Sequence, residues 1–162
     1  MQNIAKLLNE MIEYFQSDIK RINHFMKVWA YANAIAKNEN IDCKKQEILE
    51  TAAIVHDIGI KISEKKYNSS SGKYQQIEGP PIARGILEKL EYEEDIIDRV
   101  CFLVANHHTY TNIDDIDYQI LVEADFIVNI YEDNMKKEEI INIDKKIFKT
   151  NTGHMYIKTI FL

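Results

Sequence analysis

Cysteine is scarce in this chain: Cys43 and Cys101 are the two thiols it has, and they do not form a CxxC pair. Two such residues cannot build a disulfide framework or a thiolate metal site, so a reducing compartment is expected and each reads as apolar filler of the core. Long apolar runs are missing as well. No stretch approaches the roughly 18 residues needed to span a bilayer. The N-terminus, MQNIAKLLNEMIEYF, carries early acidic residues and lacks the apolar core and small-residue cleavage site of a signal peptide. A cytoplasmic protein is expected. Basic charge is in deficit, with 20 Lys and Arg against 26 Asp and Glu and a net charge of -6. A phosphate-backbone binder rests on a basic surface that releases counterions, so neither a nucleic-acid duplex nor a membrane is an expected partner. The arginines number three: Arg21, Arg84 and Arg99. Motifs are absent too. The chain has no GxxxxGK[ST] phosphate loop, GxGxxG fingerprint, GxSxG nucleophile turn or HExxH, and the mechanisms they carry are set aside.

What is present is helical periodicity. The chain has 162 residues, 46% hydrophobic and 28% charged, which fits one folded domain over 1–162 burying roughly two-thirds of its unfolded surface. Ile4, Leu7, Leu8, Met11 and Phe15, then Phe25, Val28, Trp29, Ala32, Ile35 and Ala36, recur at the spacing of amphipathic helices. Asp42 predicts an N-cap, and Gly79-Pro80-Pro81 predicts the start of another helix, with proline in its first turn. Three later segments continue the pattern, which predicts an all-α, compact bundle of six or seven helices. The stretch 63–79, SEKKYNSSSGKYQQIEG, is rich in serine and asparagine and reads as one long loop, a lid over a neighbouring site.

His56 and Asp57 end the apolar helix LETAAIVHDIGI. Ile48, Ala52 and Val55 bury one side of that helix, which brings a carboxylate next to the core, where it needs a positive partner. A divalent cation meets that need, because neutral imidazole and carboxylate are good ligands for zinc, iron, manganese and related ions. Two further helices offer donors on apolar faces: His24, among Val28, Ala32 and Ile35, and Asp125, four residues after Leu121 and three before Val128.

In its order, His24, then His56-Asp57, then Asp125 on successive helices, the sequence resembles the HD-domain superfamily of metal-dependent phosphohydrolases over about residues 20–130. The resemblance implies an HD-domain-like bundle and makes His24, His56, Asp57 and Asp125 the metal ligands, with Asp57 also orienting the attacking water. The family lysine four residues after the HD aspartate is displaced: Ile60 stands there and Lys61 follows. His107 and His108 end another helix, and HHTY resembles the element of branches that bind two metals. Glu78 stands about where those branches place a further histidine. Adjacent helical residues diverge by about 100°, so His108 is preferred over His107 for a second metal or for steadying the leaving oxygen; a helix-dipole role for all three is the alternative. Lys61 and Arg84 are the candidate substrate cations, and His154 reads as a packing residue.

The implied activity is hydrolysis of a phosphate ester or anhydride in a small phosphorylated molecule, a nucleotide or a relative, using one or two ions among Fe, Mn, Zn, Ni, Co and Mg. Two other readings stand beside it: a diiron HD-fold oxygenase using Glu78 and His108, and a non-catalytic HD binding or regulatory module. The oligomeric state, a homodimer included, is open at this stage.

Overall fold

The computed structural model describes residues 2–162. Among them are nine α-helices: α1 (Gln2–Phe15), α2 (Ile19–Asn38), α3 (Cys43–Val55), α4 (Ile60–Tyr67), α5 (Gly72–Lys89), α6 (Glu94–Asn106), α7 (Ile116–Glu132), α8 (Lys137–Lys146) and α9 (Asn151–Phe161). The all-α expectation holds, with more helices than the six or seven predicted. None of the described helices is long and apolar enough to cross a membrane.

Capping starts several of these elements. Asp18 and Asp42 accept hydrogen bonds from the Arg21 and Lys45 amides, and Thr150 Oγ1 accepts from the Gly153 amide at the start of α9. Helix ends are closed unusually. With five glycines in the chain, residues in the left-handed region are Gln16, Asn40, Asn68, Glu91, Asn112 and Asn134. Asparagine tolerates that conformation better than other side chains, which gives this chain's many asparagines a structural use.

The core lies around α7, whose residues from Asp117 to Asp125 are all buried. Helices α2 and α3 pack on α7, α6 packs on α3, and α5 lies along α6. Leu7, Phe25, Val28, Leu49, Ile54, Leu103 and Leu121 fill the space between them, each such side chain contributing about 1.5–3 kcal/mol on burial.

The segment 63–79 is not a long loop. Residues through Tyr67 complete α4, and α5 begins at Gly72, leaving four residues between them. Nor does α5 start at the prolines: Pro80 and Pro81 lie inside it. Proline removes an amide donor, which leaves the carbonyls one turn earlier unbonded within the helix. The helix holds because its packing compensates. Gly79 lies against Gly59, Val104 Cγ1 occupies the space a Cβ on Gly79 would need, and the Cys101 thiol donates to the Pro80 carbonyl at 3.5 Å. Cys43 is exposed at the start of α3 rather than buried, and Cys101 is half-buried.

Candidate metal centre

Four stretches deliver the predicted donors. Helix α2 carries His24 inward nearly two turns after its Asp18 cap. Helix α3 ends at Val55, and the turn 56–59 that follows carries His56 and Asp57. That turn is pinned by the Tyr14 hydroxyl, which donates to the Ile58 carbonyl at 3.1 Å. It also needs Gly59, because a Cβ there would lie 2.5 Å from the Gln75 carbonyl oxygen. Helix α7 supplies Asp125 and the end of α6 supplies His107 and His108.

These side chains converge. His24 Nε2 lies 3.2 Å from His56 Nε2, 3.2 Å from Asp125 Oδ1 and 3.6 Å from Asp57 Oδ2. His56 Nε2 lies 3.6 Å from Asp57 Oδ2 and 3.7 Å from Asp125 Oδ1. Donors held about 2.0–2.2 Å from one ion at tetrahedral or octahedral angles stand about 3 to 3.6 Å apart, so the spacing of His24, His56 and Asp57, whose ligand atoms lie within 4.8 Å of one another, fits a shared cation, and Asp125 borders that set through the two imidazoles.

Hydrogen bonding at the far ring nitrogens fixes which lone pairs face inward. His56 Nδ1 donates to the Ala53 carbonyl and His107 Nδ1 to the Val104 carbonyl, both at 2.8 Å. His24 Nδ1 is 3.0 Å from Glu132 Oε2, and Glu132 is held in turn by Lys27 Nζ at 2.5 Å. Each arrangement leaves Nε2 as the acceptor, as a metal-ligating imidazole requires. Asn129 Nδ2 similarly donates to Asp125 Oδ1 at 2.9 Å. Glu132 and Asn129 escaped the sequence reading, although positions 125, 129 and 132 repeat at helical spacing along one face of α7.

Without a cation the centre balances its charge with protons. Burial opposes a charged His56, but the neighbouring Asp57 and Asp125 carboxylates overcome it and hold the imidazole up to about 9. His24 is raised as well: burial works against its charged form, and hydrogen bonding to Asp125 with attraction to both carboxylates outweighs that. Burial disfavours ionised Asp57 and Asp125, yet the facing imidazoles keep both below the ordinary carboxylate range. A bound cation would take over the role of those protons.

Asp57 also faces a second group. Its Oδ1 lies 3.4 Å from His107 Nε2, and ligand atoms of Asp57, His107 and His108 lie within 4.8 Å of one another. The Nε2 atoms of His107 and His108 are buried without a hydrogen-bond partner. Both His107 and His108, the two histidines considered for a second metal, thus offer a ligand atom near Asp57. Burial, reinforced by the neighbouring His107, lowers His108 to about 4, so it is neutral at ordinary pH. Gly72 leaves room for this ring, since a Cβ at Gly72 would lie 2.5 Å from His108 Cδ2.

Glu78 does not join this cluster. It accepts hydrogen bonds from Lys66 Nζ and the Tyr67 hydroxyl, both at 2.7 Å. Gln75, one turn beyond Gly72, is the buried polar residue on that part of α5; its Nε2 donates to the Ser70 carbonyl and its Oε1 has no partner. The run of α5 through the prolines hid this from the sequence reading, which began the helix too late.

The two candidate substrate cations, Lys61 and Arg84, engage other groups. Lys61 donates to the Tyr14 carbonyl at 2.7 Å and lies over the Tyr14 ring. Arg84 is tied to Glu94 and Asp98 across the α5–α6 surface. Instead, Lys20 and Arg21 line the cleft of about 360 Å³ that opens onto His24 and Asp57, with Arg21 held by Asp18 and Glu64. His154 pairs with Asp144 at 2.6 Å, in keeping with a packing role.

Comparison with known proteins gives the fold and the family. The crystal structure of a predicted HD superfamily hydrolase from an uncultured Thermotogales bacterium superposes with a TM-score of 0.70 at 22% identity, covering 96% of this chain and 83% of that one. At that identity the likeness is one of fold. No curated protein matches the chain. The family profile described as HD domain matches residues 21–149, which include all the converging donors. This protein belongs to the HD-domain family.

Proposed function

We propose that the protein is a metal-dependent phosphohydrolase that cleaves a phosphate ester or anhydride in a small molecule. The observation that carries this reading is the convergence of inward imidazole lone pairs with the carboxylates of Asp57 and Asp125, beneath a cleft bordered by Lys20 and Arg21. His24, His56, Asp57 and Asp125 would hold a divalent cation, which would supply Lewis acidity toward a phosphoryl oxygen and a lowered pKa for coordinated water.

The chain's own groups do the rest. Lys20 and Arg21 border a cleft that also carries Asp18, Glu64 and Asp133, so a bound cation together with these two side chains would draw the anionic group there. Arg21 can offer a planar guanidinium to phosphate by exchanging its exposed carboxylate partner Glu64. Asp57, the most exposed of the four donors at 21%, accepts a hydrogen bond from the attacking water and sets its approach. Asn129 keeps Asp125 in place, and Glu132 holds His24 in the tautomer that turns Nε2 inward.

A two-cation form is the second reading, favoured by the unpartnered Nε2 atoms of His107 and His108 beside Asp57. His108 stands with His107 beside Asp57 and would offer a ligand atom to that second cation. The oxygenase reading loses its Glu78 ligand to Lys66 and Tyr67.

The test is metal analysis of the purified protein, followed by phosphate release from a panel of phosphate esters and anhydrides with Mn, Co, Ni, Zn, Fe or Mg. His56→Ala and Asp57→Ala should each abolish release while circular dichroism stays native. Unchanged turnover in either variant contradicts the assignment. Ligand binding without turnover would place the chain with the regulatory modules.

A further inference from the structure

Resting on the phosphohydrolase reading, we propose that the group carrying the phosphate is a compact polyhydroxy one, a sugar phosphate recognised through its hydroxyls. Among the described residues, the cleft above His24 and Asp57 has Ile60 as its single apolar wall, and no Phe, Tyr or Trp lines it. Small-molecule sites that hold flat apolar groups are lined mainly by hydrophobic and aromatic side chains, and a volume of about 360 Å³ is at the small end of their range. A nucleobase would find no stacking partner inside this cleft.

Its polar groups are divided between two sides. Lys20 and Arg21 come from the start of α2, and Asn129 and Asp133 from the end of α7, with Ser70 between α4 and α5. Asn129 gives one Nδ2 hydrogen to Asp125, which leaves its Oδ1 as an acceptor, beside the second Nδ2 hydrogen, for a ligand. Asp133 is exposed and has no salt-bridge partner among the described residues. Carboxylate, amide and hydroxyl oxygens are acceptors that sugar hydroxyls satisfy as donors. The cations on the opposite side suit a phosphate. Asp18, Glu64 and Asp133 at the mouth oppose further negative charge, which favours one phosphate over a chain of them. In the reaction, water forms a new P–O bond, the ester P–O bond breaks, the sugar oxygen leaves with a proton as an alcohol, and inorganic phosphate is released. No redox partner is required.

Phosphate release from the metal-loaded full chain should be compared for ribose 5-phosphate, 2-deoxyribose 5-phosphate, p-nitrophenyl phosphate and adenosine 5′-monophosphate. Ribose 5-phosphate should exceed its deoxy analogue in kcat/KM by about ten- to hundredfold, the size of one hydrogen bond to a charged group. Asp133→Ala should narrow that ratio. Equal turnover of the two sugar phosphates, or a ratio that Asp133→Ala leaves intact, overturns the proposal while the phosphohydrolase reading stands. So does a preference of more than about tenfold for either aromatic substrate over ribose 5-phosphate. No phosphate from any of the four, where the wider panel of esters and anhydrides does release it, overturns the proposal alone; no release from the wider panel either overturns both readings.

Discussion

Glu132 determines how His24 is presented. The Nδ1 of His24 faces Glu132, and Lys27 anchors the carboxylate from the other side. His56 and His107 lean on backbone carbonyls, which no substitution can remove, so Glu132 is the accessible handle on ring orientation. Glu132→Gln should weaken Mn²⁺ binding by about ten- to hundredfold, measured by calorimetric titration. An unaltered affinity would show that α2 packing alone aims His24. The donors themselves were legible in the sequence because each interrupts an apolar face: His24 among Val28 and Ala32, Asp125 between Leu121 and Val128. Sequence proximity to the motif does not show which neighbouring helix a long side chain such as Lys61 or Arg84 meets. Lys61 turns to the Tyr14 carbonyl of α1, and Arg84 to Glu94 and Asp98 of α6.

At the level of elements, α9 is fastened by a buried carboxylate. Glu123 Oε1 accepts from the Lys149 and Thr150 amides and from Gln119 Nε2, and Oε2 accepts from Thr150 Oγ1. Gly153 is required beside it, since a Cβ there would lie 2.0 Å from Glu123 Oε2. Glu123→Ala would strand those donors, and the expected loss is about 3–5 kcal/mol in urea unfolding. A loss below about 1 kcal/mol would mean that water replaces the carboxylate. Helix ends allow a gain. Glu91 closes α5 at φ 59°, a conformation glycine adopts freely, so Glu91→Gly should stabilise the chain by about 1 kcal/mol. An unchanged or lower urea midpoint would contradict that. Helix type was legible from periodicity at this scale, whereas the break between α4 and α5 was not. Ser69, Ser70 and Ser71 suggest irregular chain over a wide window, but the tertiary packing of Gly59 against Gly79 draws both flanks into helix.

For the whole molecule, the centre couples stability to pH and to metal. In the metal-free protein His56 is raised from 6.5 to about 9, so its contribution is fully present below the unfolded value of 6.5 and is lost as pH rises through about 9. Asp57 and Asp125 are depressed; their contribution is present above the ordinary carboxylate range and disappears as pH falls below it. A cation replaces the protons on the imidazoles, so the opposite trend holds for the gain on metal binding. The rise in Tm on adding Mn²⁺ should increase from pH 6 to about pH 9, read by scanning fluorimetry at fixed ionic strength. A gain that shrinks over that interval would mean that the cation binds away from the imidazoles.

The most direct test is an anomalous difference map from crystals of the metal-loaded protein. The account predicts a peak bonded to His24 Nε2, His56 Nε2 and the carboxylates of Asp57 and Asp125, at about 2.0–2.2 Å from each. A fully metal-loaded crystal with no peak at these four residues, or with its peak elsewhere on the chain, would contradict it.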